Sequence, residues 1–141
     1  MSQRKKIIHT IYIFFFFISL YPILAQKAHI VPLKKSAVPI HLWIHFEENP
    51  SREAVISWST TVPAKNNTVF YDTKKRNGET KKYSYKSTKI HSGPYTLTDE
   101  EKSMESWYHH AYLNDLEPNT RQYLTVESNG EKLGEYYFIT C

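Results

Sequence analysis

Residues 107–120 read Trp107-Tyr108-His109-His110-Ala111-Tyr112-Leu113-Asn114-Asp115-Leu116-Glu117-Pro118-Asn119-Thr120, and the reading of this stretch decides the fold. A strand ends at Leu113 and drops through Asn114 and Asp115 to a second apolar anchor, Leu116. The chain then turns at Pro118-Asn119-Thr120 and re-enters a strand at Tyr123-Leu124-Thr125-Val126. An antiparallel β-sandwich carries its chain from one sheet to the other in this way. Within the first strand the alternation puts His109, Ala111 and Leu113 on one side, the side facing the core.

Working upstream, Ile40, Leu42, Ile44 and Phe46 alternate with His41, Trp43 and His45, the period of a half-buried strand. Glu48-Asn49-Pro50-Ser51 marks a turn. Ala54-Val55-Ile56-Ser57-Trp58-Ser59-Thr60 follows as a strand with Ala54, Ile56 and Trp58 on one face, Trp58 filling the centre. Thr68-Val69-Phe70-Tyr71 opens the next strand. Asn77-Gly78, with Lys74-Lys75-Arg76 before it and Lys81-Lys82 after it, is the dipeptide of a tight hairpin turn, because both residues tolerate positive φ. Residues 83–88 read as a polar edge strand. Residues 92–106 read as irregular, with a single helical turn opened by Thr98 and its capping-box partner Glu101. Strands at 108–113, 122–127 and 135–139 bring the count to about seven, an all-β sandwich of the immunoglobulin kind, antiparallel throughout.

The chain opens with Arg4-Lys5-Lys6, an apolar run from Ile7 to Leu24, and Ala25-Gln26. That is the pattern of a secretory signal peptide over residues 1–25, cut after Ala25, and it implies a secreted, extracellular or periplasmic protein. An uncleaved membrane anchor is the competing reading, since about 18 residues just span a bilayer; His9, Thr10 and Pro22 count against it. Residues 26–37 form a leader, and the domain runs over 38–141. Cleavage removes three of the 18 basic residues and none of the 14 acidic ones, so the net charge falls from +4 to near +1. The basic balance therefore gives no ground for a nucleic-acid partner, and after signal removal nothing calls for a membrane. The one cysteine, Cys141, cannot form an internal disulfide, so stability must come from burial.

Three stretches together resemble the N-terminal domain of purple acid phosphatases, which is itself fibronectin type III-like. They are Ala54-Val55-Ile56-Ser57-Trp58-Ser59-Thr60, Thr68-Val69-Phe70-Tyr71-Asp72-Thr73, and the run from Tyr108 through Leu113-Asn114-Asp115-Leu116-Glu117-Pro118-Asn119 to Thr120. Tyr137-Phe138-Ile139-Thr140 resembles that domain's last strand. The resemblance implies a parent enzyme that hydrolyses phosphomonoesters in a separate metallophosphoesterase catalytic domain. That domain carries a dinuclear centre of iron with iron, zinc or manganese, held by Gly-Asp, Gly-Asn-His and Gly-His-x-His segments. None of those segments occurs here, so the chain alone is expected to be inactive, a truncated or split half with no catalytic or metal-binding residues and no cofactor of its own. Its implied partner is the catalytic domain, in cis or in trans. One position departs from the family pattern: Gln122 stands where a corner tyrosine is usual, and Tyr123, one residue later, must face the other side.

Other chemistry is poorly served. His41 and His45 share a strand face but lie about 13 Å apart, too far for one ion, and His109 and His110 point to opposite faces. With four glycines there is neither a nucleophile elbow nor a phosphate-cradling loop. Asp99-Glu100-Glu101 reads more simply as the acidic start of a helical turn than as an acid–base pair. The surface candidates are the basic residues Lys74, Lys75, Arg76, Lys81 and Lys82, and Trp43 with the many tyrosines as a stacking platform. Charged arms that keep a sheet edge soluble explain the first equally well, and aromatic residues are common on sandwich faces. Asn66-Asn67-Thr68 is the sole glycosylation sequon. The alternative function is a free-standing secreted fibronectin type III-like module that binds or adheres to a partner.

Overall fold

The computed structural model describes residues 34–99 and 102–141; the segment expected to be a signal peptide, the start of the expected leader, and Glu100 with the capping-box partner Glu101 lie outside them. Two antiparallel sheets face each other. The first has the order β1 (Ile40–His45), β2 (Ala54–Thr60), β6 (Lys102–Leu113), β5 (Ile90–Asp99). The second runs β4 (Tyr85–Ser87), β3 (Asn67–Asp72), β7 (Arg121–Ser128), with β8 (Glu131–Lys132) and β9 (Tyr136–Ile139) along the far side of β7. β8 pairs with one end of β7 and β9 with the other, so the two form one interrupted edge.

The core is the pair of inner faces: Ala54, Ile56 and Trp58 from β2, Ala111 and Leu113 from β6, Val69 from β3, Leu124 and Val126 from β7, and Phe138 from β9. Leu116 plugs the end where the chain crosses between sheets, and its N–H donates to Arg52 O at 3.0 Å. Burial of each Ile, Leu or Val here contributes roughly 1.5–3 kcal/mol. With its cysteine free, the chain has this burial in place of an internal disulfide. On β1 the half-buried and exposed residues alternate as the sequence requires. Ser36 ties the leader to the domain: its N–H donates to Thr61 Oγ1 at 2.7 Å and its carbonyl accepts from Thr61 N–H.

Two local expectations fail. Residues 92–106 are not irregular: β5 and β6 form a long hairpin whose register runs from Ile90↔Ala111 to Asp99↔Lys102, and Thr98 lies in its strand opposite Ser103. Gly93-Pro94 looks like a strand breaker, but β5 is an edge, where proline is tolerated. The bare glycine is covered by the Tyr108 ring, so a Cβ at position 93 would meet that hydroxyl at 2.6 Å. Second, Asn77 and Gly78 do take positive φ, 54° and 72°, and they lie in the connection between the antiparallel neighbours β3 and β4, but that connection is a long loop and not a tight two-residue turn. The tight two-residue hairpin belongs instead to the other Asn-Gly pair, Asn129-Gly130, at φ 49° and 85° between the paired residues Ser128 and Glu131.

Candidate functional site

The inner polar residues form one continuous hydrogen-bonded chain across the sandwich. Trp58 Nε1–H donates to Ser128 Oγ at 3.0 Å, and Ser128 O–H donates to Asn67 Oδ1 at 2.7 Å. The Asn67 amide donates to Ala64 O at 2.8 Å and to His109 Nδ1 at 3.3 Å. That donor fixes the tautomer: Nδ1 accepts, so Nε2 carries the proton and donates to Thr60 Oγ1 at 2.9 Å, whose own proton goes to Val62 O at 2.7 Å. Ser92 Oγ lies 2.7 Å from Nδ1, and the Trp58 indole stacks on the imidazole at 5.3 Å between centroids. Burial, and secondarily His110, lowers the His109 pKa to about 4. Every donor in this chain is spent on a partner, which is how a buried polar group becomes tolerable.

His110 faces the opposite way, onto the outer face of the first sheet, with Ser57 Oγ 2.7 Å from its Nδ1. Around it lie His45 (ring centroids 6.5 Å apart) and Tyr108 (5.0 Å). Burial, then His45, then His91, lowers its pKa as well. Farther along this face Trp43, 57 % exposed, stacks with His41 at 5.9 Å. His41, Trp43, Ser59, Tyr95 and Tyr108 line a shallow apolar depression of about 380 Å³, and Tyr95 O–H donates to Ser59 Oγ at 3.0 Å. Ser57 and Ser59 are buried although they point outward, because the aromatic rings cover them.

The basic residues sit elsewhere, in the β3–β4 loop attached to the second sheet, and share no surface with Trp43 on β1. Two carboxylates organise that loop. Asp72, 3 % exposed, accepts from Lys74 N–H, Ser84 N–H, Ser84 O–H and Arg76 Nε, the last at 2.9 Å. Burial alone would raise its pKa; the Ser84, Arg76 and Lys74 hydrogen bonds outweigh that and hold it at about 2. Glu135 Oε2 accepts from Arg76 N–H at 2.7 Å and Tyr83 O–H at 2.7 Å. Arg76 is therefore spent in an ion pair with Asp72, and Lys82 pairs with Glu79, leaving Lys74, Lys75 and Lys81 as exposed charges without a described ion-pair partner. The two carboxylates went unnoticed in the sequence; Asp72 two residues before Lys74 has the spacing of an Asx turn and was the available signal.

At the inter-sheet corner, Gln122 is inward-facing and 2 % exposed, and no described residue hydrogen-bonds its amide. Thr140 closes the corner in its place: its hydroxyl accepts from Thr120 N–H at 2.9 Å and donates to the carbonyls of Glu117 and Thr120. Tyr123 points outward, its ring 6.1 Å from that of Tyr137.

Among the described residues no three of His, Cys, Asp or Glu are grouped to hold a metal ion. Both His109 nitrogens are committed to the inner chain, His41 and His45 point outward from an edge strand, the buried Asp72 carboxylate is occupied by backbone and side-chain donors, and the half-buried Glu135 accepts through Oε2 while its Oε1 has no described partner. These residues do not fit a dinuclear centre. No described helix is long and apolar enough to cross a membrane.

Among solved structures the chain is similar to purple acid phosphatase PPD1 from yellow lupin (Lupinus luteus) seeds, with 16 % identity and a TM-score of 0.53 over 74 % of this chain and 19 % of that one. It also matches Astrotactin-2, a perforin-like vertebrate membrane protein, at 15 % identity and a TM-score of 0.45 over 75 % of this chain and 22 % of that one. The chain thus spans about a fifth of each matched structure. A search of curated proteins found no match. The family model described as purple acid phosphatase, N-terminal domain, matches residues 39–140, and the chain belongs to that family.

Proposed function

We propose that this sandwich is a secreted, non-catalytic accessory domain whose partner is a metallophosphoesterase catalytic domain, in cis or in trans. The observation that carries the reading is the division of the first sheet. Its inner face uses every polar group it has to hold the fold, whereas its outer face presents Trp43, Tyr112 and a row of imidazoles that no described element covers. Exposed aromatic surface of this kind marks a docking face. Hydrolysis of phosphomonoesters, with its dinuclear metal centre, belongs on this reading to the partner domain. The test is turnover of p-nitrophenyl phosphate by the purified chain supplied with iron, zinc and manganese. The expected rate equals the protein-free blank; metal-dependent turnover that persists through further purification contradicts the proposal.

A further inference from the structure

The end of the sandwich below the inter-sheet corner holds a second concavity, of about 280 Å³, distinct from the outer aromatic face. Its walls are Tyr71 from β3, Tyr85 from β4, Asn114, Asp115 and Glu117 from the crossing segment, and Gln122 from β7. Three features point to a ligand. Gln122 is 2 % exposed, its amide has no hydrogen-bond partner among the described residues, and it lines this space, so the amide is left to water or to a ligand that enters the pocket. Asp115 and Glu117 bring two carboxylates to the same walls, and neither has an ion-pair partner among the described residues. Tyr71 and Tyr85 stack at 5.5 Å between centroids, 26° from parallel, and offer an aromatic surface beside the carboxylates. Burial first, then Tyr85 and the Asp115 charge, raises the Tyr71 pKa, so its hydroxyl stays a neutral hydrogen-bonding group.

Negative charge, an aromatic face and a buried amide oxygen are what a planar organic cation requires. A guanidinium can place N–H groups on two carboxylates and the amide while its plane lies against a tyrosine ring. An anion would meet two carboxylates here, and a purely apolar group would leave the Gln122 amide unsatisfied. We propose that this pocket binds a guanidinium group, such as the end of an arginine side chain on a partner polypeptide. The volume, at the lower end for ligand pockets, leaves room for such a group.

The test is titration of the full-length, isotope-labelled chain with methylguanidinium, and separately with N-methylurea, its neutral near-isostere, following the Gln122 side-chain amide and the Tyr71 ring by NMR. Methylguanidinium is expected to shift both signals saturably, and methylurea at least tenfold more weakly. The double variant Asp115→Asn, Glu117→Gln is expected to lose about tenfold in methylguanidinium affinity; asparagine accepts the positive φ of position 115, 57°, so the backbone is retained. Dispersion of the remaining amide signals reports whether the variant is folded, and Gln122→Met, with Asp115 and Glu117 intact, gives an independent reading with an expected weakening of several-fold. Equal response to the two probes, no saturable shift at Gln122, or unchanged affinity in the folded variants overturns the proposal.

Discussion

His109 and His110 are neighbours in sequence and opposites in circumstance. His109, on the inner face of β6, has no exposed surface and is held between Asn67 and Thr60 under the Trp58 indole. His110, on the outer face, keeps part of its surface in solvent and shares it with Tyr108 and His45. One residue of strand register separates a side chain committed to the fold from one available to a partner. The difference shows where function can reside in so small a sandwich: the inner polar chain is used up by folding, and the outer faces and the corner pocket remain.

The sharpest way to break the contrast is to remove the residue that anchors the inner face. Trp58→Ala is expected to cost about 3–5 kcal/mol, a large share of a typical domain's 5–15 kcal/mol, read by urea unfolding. It empties the centre of the core and strips Ser128 Oγ of its donor.

His109 gives the next largest effect, through pH. Its folded pKa lies below the ordinary 6.5, at about 4, so the unfolded chain takes up the proton first. The associated stability is complete above pH 6.5 and is lost as pH falls toward 4, by about 3 kcal/mol. His109→Gln is expected to flatten that part of the stability profile, whereas His110→Ala leaves most of it in place.

Asp72 acts in a lower window. With its folded pKa held at about 2 against an ordinary 3.8, it contributes about 2 kcal/mol above pH 4 that disappears as pH falls toward 2. Asp72→Asn removes this acid limb and loosens the β3–β4 loop, which hydrogen exchange at Ser84 N–H detects. At the small end, Trp43→Ala on the outer face is expected to change unfolding stability by less than about 0.5 kcal/mol. A large loss there would mean that the aromatic face belongs to the folding core.

Legibility in the sequence follows the same division. Period-two alternation in β1 and β6, the inner face of β2 and the Leu113-to-Leu116 crossing could be read directly, because a half-buried strand writes its faces into the chain; that β2 is buried on its other face too could not. β5 escaped because Ser, Thr, Gly and Pro resemble a loop until Tyr108 is placed over Gly93. The two Asn-Gly pairs are identical locally; only pairing of Ser128 with Glu131 makes the second a hairpin, while Asp72 and Glu135 gather the first into a loop. That capture also withdrew Arg76 from the expected basic surface, while Lys82 stays on the surface paired with Glu79. Trp43 is exposed as its alternation required. The corner pocket depends on three segments meeting, which no single stretch announces, although Gln122 in place of the usual corner tyrosine was its one visible sign.

The central claim is that the buried imidazole serves the sandwich and not a metal. The most direct measurement is the ¹⁵N imidazole NMR spectrum of the chain, titrated from pH 7.5 to 4 with and without added zinc. His109 is expected to remain neutral and Nε2-protonated until pH approaches about 4 and to be unmoved by zinc. Protonation of His109 near pH 6.5, or a zinc-induced shift of its ring nitrogens, would contradict it.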